Sequence, residues 1–233
     1  MSFRKAMRFK WQFYSVLVLL LLFPGVRTEA QGLRFILDFT PQLNWFQSNN
    51  PTRVHTQGST FGYDAGLQFN YFFSQNYAFV TGIKIFHTGG KLSYMDTIDL
   101  AVSERTLTVP ANTSVTYRNE YVHVPLGIHL ESVEIGYLSF YFETGAGLLF
   151  HFNSWINVDG ITDIKENGTE DINMFNLAYF ARGGVMYSLG GKTAITGGVS
   201  YVHGLVDMTK DPGGGPKDRL IFHSLGLRLG IVF

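Results

Sequence analysis

Apolar and polar residues alternate along almost the whole chain from Leu33 onward. The register is plainest near the end, where Leu225, Leu227, Leu229, Ile231 and Phe233 alternate with Ser224, Gly226, Arg228, Gly230 and Val232. Runs of the same kind fall near 33–46, 60–73, 77–88, 117–131, 135–152, 174–188 and 192–204. A period of two over such lengths predicts strands with one apolar face. Eight strands are predicted, and no amphipathic helix competes with them. The connections alternate as well. Ser74-Gln75-Asn76, the stretch Ser132–Glu134 and Gly190-Gly191 are tight turns, whereas 47–59, 89–116, 153–173 and 205–218 are long and polar. Long and short connections in strict succession are what an even-numbered antiparallel barrel inserted from one side produces, with short turns at the periplasmic rim and long loops outside.

Period two does not say which face points outward. In a soluble barrel of the lipocalin type, the face carrying Tyr137, Ser139, Tyr141, Glu143, Gly145 and Gly147, or Ser224 through Val232, would meet water. Such a surface is poor in charge and rich in Gly, unlike a soluble exterior. Reversed, the same residues suit a narrow lumen. The opposite face then forms a lipid-facing band: Leu138, Phe140, Phe142, Ala146, Leu148 and Phe150 in the fifth strand, and Val122, Val124, Leu126, Ile128 and Leu130 in the fourth. Trp45, Phe73, Tyr77, Phe152 and Trp155 lie near strand ends, where interfacial girdles belong. The expected fold is all-β: an eight-stranded antiparallel transmembrane barrel.

The first thirty residues read differently. Arg4, Lys5, Arg8 and Lys10 precede the apolar run Phe13–Phe23, Pro24-Gly25 breaks it, and Thr28-Glu29-Ala30 places small residues at a cleavage site. This is the layout of a secretory signal peptide, cleaved after Ala30; eleven apolar residues are too few to span roughly 30 Å of hydrocarbon. Two regions follow: 1–30 as signal peptide and 31–233 as barrel domain. Residues 1–30 hold five bases and one acid, so the formal net charge of zero (18 basic, 18 acidic) becomes 13 basic against 17 acidic, or −4, in the mature chain. That balance gives no footing for nucleic acid. Cys is absent, which removes disulfides, thiolate metal sites, a Cys nucleophile and a lipid-modified Cys. With 21 Phe, 12 Tyr and 26 Gly, the composition also excludes a helical bundle or disordered chain.

Two short signals carry a family resemblance. Phe233 closes an alternating strand on its lipid-facing register, which resembles the C-terminal tag read by the barrel-assembly machinery. The segment Tyr121-Val122-His123-Val124-Pro125-Leu126-Gly127-Ile128-His129 resembles the Y-x-E-x-P-L pattern of the fourth strand in the PorT-like small barrels of Bacteroidota, over roughly residues 31–233. His123 stands where that family commonly has Glu, and His129 where it often has Lys or Arg. The resemblance implies an integral outer-membrane location with both termini periplasmic, contact with outer-membrane lipid and, for some relatives, a part in type IX secretion.

Projected inward, the alternation places Arg34, Asp38, Asp64, Gln68, Asn70, Lys84, Glu143, Arg182 and Arg228 in the lumen, with His123, His129 and Glu131 from the fourth strand. Charges in so narrow an interior need partners. The four bases Arg34, Lys84, Arg182 and Arg228 face the four acids Asp38, Asp64, Glu131 and Glu143, which predicts a structural salt-bridge network; a proton path or ion-selective pore is the competing use of the same groups. For catalysis, Ser200 with His203 and His223 with Ser224 have opposite parity and point to opposite faces. A cross-strand set of His203, His223 and Asp207 is the remaining arrangement. No GxSxG, HExxH or phosphate loop is present, and the histidines form no HxH or HxxxH pair for a metal. The expectation is a non-enzyme without cofactor or metal.

The four long segments hold eleven acids and six bases. Among the acids, Asp159, Asp163, Glu166, Glu170 and Asp171 form one acidic loop surface. The function expected is therefore a structural or interaction role, with an unidentified protein or surface partner met through the loops. The alternatives are a narrow porin-like pore or accessory of outer-membrane transport, and a lipid-modifying enzyme.

Overall fold

The computed structural model describes residues 32–102, 105–160, 166–167, 172–209 and 219–233. The predicted signal segment, and Asp163, Glu170 and Asp171 of the acidic loop, lie outside the described residues. Among the described residues there are twelve strands: β1 (Leu33–Ser48), β2 (Val54–Gly58), β3 (Thr60–Ser74), β4 (Tyr77–Tyr94), β5 (Ile98–Val102), β6 (Arg105–Val109), β7 (Ser114–Glu131), β8 (Leu138–Val158), β9 (Glu166–Asn167), β10 (Phe175–Gly190), β11 (Thr193–Gly204) and β12 (Leu220–Val232). Eight of them form the wall in the order β1-β3-β4-β7-β8-β10-β11-β12. The sheet closes where β12 pairs with β1, antiparallel like every other pair in the ring. At that seam Phe233 donates its N–H to Phe35 O at 2.9 Å and accepts from Phe35 N at 3.3 Å. Closure gives each wall strand a partner on both sides, which hydrocarbon demands because no water is there to satisfy a free edge.

The alternation decides the faces. In β1, Leu33, Phe35, Leu37, Phe39 and Leu43 are exposed, while Ile36, Asp38, Thr40, Gln42 and Asn44 are buried. In β12, Leu225, Leu227, Leu229 and Ile231 are exposed around buried Ser224, Arg228 and Val232. An outer face of Leu, Phe and Ile with polar groups inside is a soluble protein turned inside out, and it requires lipid around it.

Three connections are short. Ser74 pairs with Tyr77 across Gln75-Asn76. Gly190 and Gly191 close the β10–β11 turn at φ +101° and +64°, backbone that L side chains rarely adopt. The third turn is longer than its sequence suggests. β8 begins at Leu138 rather than near 135, because Gly136 (φ +69°) lies in the turn and Ile135 bridges Leu138. Tyr137, expected to open the inner row of the fifth strand, is instead 66 % exposed and stands 6.0 Å from the Tyr187 ring.

The opposite end departs further. β4 and β7 run 18 residues and β8 runs 21, against roughly 9–11 needed to cross a bilayer. They climb into segments expected as loops, where β2 pairs with β4, β9 pairs with β8, and β5–β6 form a separate hairpin. The reason is a sparse alternation hidden in polar sequence. Leu92, Val115, Tyr117, Ile156 and Val158 are all buried, and they pack with Val54, Val109, Ile172, Met208 and Leu220 into an apolar core at that end.

Candidate functional site

The lumen is stacked in three tiers. Towards the short turns, Ile36, Tyr141, Met186 and Val232 form a small apolar cluster. Towards the long loops, Phe46, Phe86, Tyr121, Leu149, Phe180 and Phe222 project inward at the base of the larger core. Between them lie Asp38, Asp64, Lys84, Glu143, Arg182 and Arg228, none more than 2 % exposed.

Those six side chains interlock. Lys84 Nζ donates to both carboxylate oxygens of Asp38, at 2.8 and 2.7 Å, and lies 3.7 Å from Asp64. Arg228 clamps Asp38 through Nη2 (2.9 Å) and Nε (3.2 Å) and reaches Glu143 through Nη1 (2.8 Å). Arg182 donates to Asp64 at 3.3 Å and lies 3.6 Å from Glu143. β10 and β3 stand four strands apart either way round the ring, so the Arg182–Asp64 pair crosses the full lumen. Three cations meet three anions, and each carboxylate has two cationic partners. That balance offsets the desolvation cost an unpaired charge would carry here.

Gln68 and two histidines complete the tier. The Gln68 amide donates to Glu143 (2.8 Å) and Asn70 (2.9 Å), while its oxygen accepts from Arg182 (3.3 Å) and Arg228 (3.1 Å). His123 Nδ1 lies 3.3 Å from Asp64. A Cβ on residue 147 would stand 2.7 Å from His123 Nε2, so only Gly147 leaves room for that ring. His129 bridges Glu143 (2.9 Å) and Glu131 (3.3 Å). Arg34 and Glu131 are thereby joined to the tier from the turn end: they pair at 2.5 Å, with side chains 31 % and 15 % exposed. The guanidinium carbons of Arg182, Arg34 and Arg228 also lie over Phe180 (4.4 Å), Phe72 (4.4 Å) and Tyr141 (5.3 Å).

All eight residues of the predicted charge set thus meet in one connected array. The linking role of Gln68 and the bridging role of His129 were not read from sequence. A signal for the first was present: Gln68 and Asn70 are same-face amides on the strand that carries Asp64. Phe233 ends the seam with its side chain 51 % exposed. Of the acidic loop surface, Asp159 is exposed beside the end of β8 and donates its backbone N–H to Ser114 O, and Glu166 falls in β9.

The catalytic ingredients remain divided. Ser200 faces inward and accepts from Arg182 Nε at 3.4 Å, while His203 lies on the outer face. His203 and His223 do meet across β11–β12, with Nδ1 atoms 3.2 Å apart. Asp207 turns elsewhere: its Oδ1 accepts from Thr209 N, Thr209 Oγ1 and Leu220 N. Among the described residues, no group of three or more His, Cys, Asp and Glu side chains is placed to hold a metal.

A closed antiparallel barrel with a lipid-facing exterior and an ionic interior agrees with one comparison in particular. The family model described as outer membrane protein beta-barrel domain matches residues 31–210. The chain belongs to this family. It is an integral outer-membrane β-barrel protein, in keeping with the apolar band that its exposed side chains form. No curated protein matches it. Among solved structures, this outer-membrane barrel is similar to neisserial surface protein A (11 % identity, 86 % of this chain and 97 % of that one, TM-score 0.45). It is also similar to OprG from Pseudomonas aeruginosa (11 %, 87 % and 96 %, TM-score 0.42). A third is the outer membrane protease OmpT from Escherichia coli (6 %, 89 % and 99 %, TM-score 0.44).

Proposed function

We propose that this barrel is a sealed, non-catalytic membrane element that works as a structural or interaction protein through its long-loop end. The observation that carries the reading is the central ionic tier: six buried charges, mutually paired and held between two apolar clusters. Eight strands enclose an interior just wide enough for side chains to fill, and a permeant ion would have to replace several of these pairs at once. In planar lipid bilayers the purified protein should give no steady unitary conductance. Large, stable openings would instead favour the second reading, a narrow pore or an accessory of outer-membrane transport such as type IX secretion. That second reading draws on the Tyr121–His129 segment, which also supports the finer PorT-like assignment within the family.

In this proposal both termini lie in the periplasm and Phe233 serves recognition by the assembly machinery. The long loops carry the contacts to an external partner. Their eleven acids against six bases suit a basic partner, or divalent cations bridging to anionic lipid. Neutralising Asp159, Asp163, Glu166, Glu170 and Asp171 together should leave folding intact, because all five fall in the sequence between the end of β8 at Val158 and the start of β10 at Phe175. The same variant should lose copurifying partners at low salt, where the Debye length reaches about 30 Å at roughly 0.01 M and screening is weakest. Retention of every partner at low and high salt would sink acidic-loop recognition and leave those acids a solvating role.

A further inference from the structure

On the outer face near the long-loop end, three ligand-type side chains converge. Tyr201 and His203 are two residues apart on β11 and therefore share a face, and His223 is directly opposite His203 on β12. Tyr201 Oη lies 2.9 Å from His223 Nδ1, and His203 Nδ1 lies 3.2 Å from the same atom. The outer side of His223 is occupied too: on β1, Trp45 stacks on its ring at 5.4 Å and 3°, and Gln47 Oε1 lies 3.0 Å from its Nε2. His223 is only 7 % exposed, whereas Tyr201 and His203 are half-buried.

The hydrogen bonding fixes which nitrogen is available. The Gln47 carbonyl oxygen accepts, so His223 Nε2 carries the proton and Nδ1 presents its lone pair. This is the outer-shell arrangement that orients a metal-bound histidine. Without a metal, two donors, the Tyr201 hydroxyl and His203 Nδ1–H, compete for that single lone pair. The two spacings to His223 Nδ1 also suit a metal. A tetrahedral ion with bonds of about 2.0–2.1 Å has ligand atoms about 3.3 Å apart, close to the 3.2 and 2.9 Å found here.

We propose that Tyr201, His203 and His223 form a site for a borderline divalent transition ion, Zn2+ or, more tightly, Cu2+, on the outer wall of the barrel. The two Nδ1 atoms and the Tyr201 oxygen are the ligands, with the fourth position left to water. On binding, the Tyr201 proton leaves to solvent and the His203 proton moves to Nε2, so one proton is released per ion. Affinity follows the usual order for nitrogen and oxygen donors, Cu2+ above Zn2+. Trp45 is an optical reporter already in place, because its indole lies flat against a ligand ring.

The test uses the full protein purified from outer membranes in detergent micelles. ZnCl2 should bind with one saturable site by calorimetry. CuCl2 should quench tryptophan emission saturably, and that component should vanish in Trp45→Phe. His203→Ala and His223→Ala should each weaken ZnCl2 binding at least 100-fold, and Gln47→Leu by about 10–100-fold through the lost outer-shell bond. His55→Ala, at an exposed position on β2, should leave binding unchanged. Should a histidine variant fail to fold, imidazole nitrogen resonances of the unsubstituted protein read the same site: ZnCl2 must move the Nδ1 signals of His203 and His223 together. Absence of saturable ZnCl2 binding, or binding that survives loss of His203, or resonance shifts at other histidines alone, would overturn the site.

Discussion

Replacing Arg228 with Leu should lower the stability of the folded barrel by about 3–5 kcal/mol, the usual cost of removing one partner from a buried ion pair. The guanidinium holds Asp38 and Glu143 at once. Without it, two cations face three anions in a tier whose charged side chains are all buried, and Arg182, at 3.6 Å, is the Arg or Lys left beside Glu143. The flanking glycines leave no room for a larger side chain that could fill the gap. A Cβ on Gly226 would stand 2.7 Å from Pro41 O and from Thr40 Cγ2, and one on Gly230 would stand 2.7 Å from Thr196 Cγ2. The measurement is the temperature at which the compact band disappears on unboiled gels, supported by urea unfolding in liposomes. Adding Glu143→Gln should restore part of the loss, because it removes the excess negative charge. An Arg228→Leu protein as stable as the original would mean that the ionic tier does not hold the barrel together.

A protease added to intact cells should cut within the long connections and leave the three short turns whole. This all-or-none pattern follows from the proposed orientation. The turns at Gln75-Asn76, Ser132–Tyr137 and Gly191-Lys192 lie at the same end of the barrel as the start of β1 and the end of β12, the end assigned to the periplasm. After outer-membrane permeabilisation the turns should become the new cleavage points. Cleavage at Ser74–Asn76 on intact cells would reverse the topology.

How much of this was readable in advance depends on the kind of fact. Which face Arg228 or Lys84 occupies is a matter of parity, a one-dimensional property, and the strand faces could be read from residue order. Parity fails where the chain leaves the strand, as at Tyr137, because it carries no information about the backbone of Gly136. It is also weak where apolar positions are few. Leu92, Val115 and Ile156 stand among Ser, Thr, Asn and Lys, so the upward extensions of β4, β7 and β8 looked like loop. Pairing is a different matter. That Arg182 meets Asp64 across the lumen, or that Gln68 touches four side chains, depends on barrel circumference and strand stagger, which no local pattern encodes. The His203–His223 contact is intermediate: Tyr201-x-His203 declares a shared face, but only the β11–β12 register supplies the third member.

The seam between β1 and β12 also sets an order of events. Ile36 pairs with Val232 and Leu37 with Ile231, so the first wall strand waits for the last before its edge is satisfied. Contacts this distant in sequence form late, since chain entropy opposes them until the intervening segments are in place. Until β12 arrives, β1 and β11 both present open, apolar-faced edges, the condition that invites pairing with another copy of the same chain. A chain stalled short of Leu220 would therefore be an adhesive seven-stranded sheet rather than a smaller barrel. Safe delivery to the membrane then requires that the incomplete sheet be held apart from its own kind until the final thirteen-residue strand closes the ring.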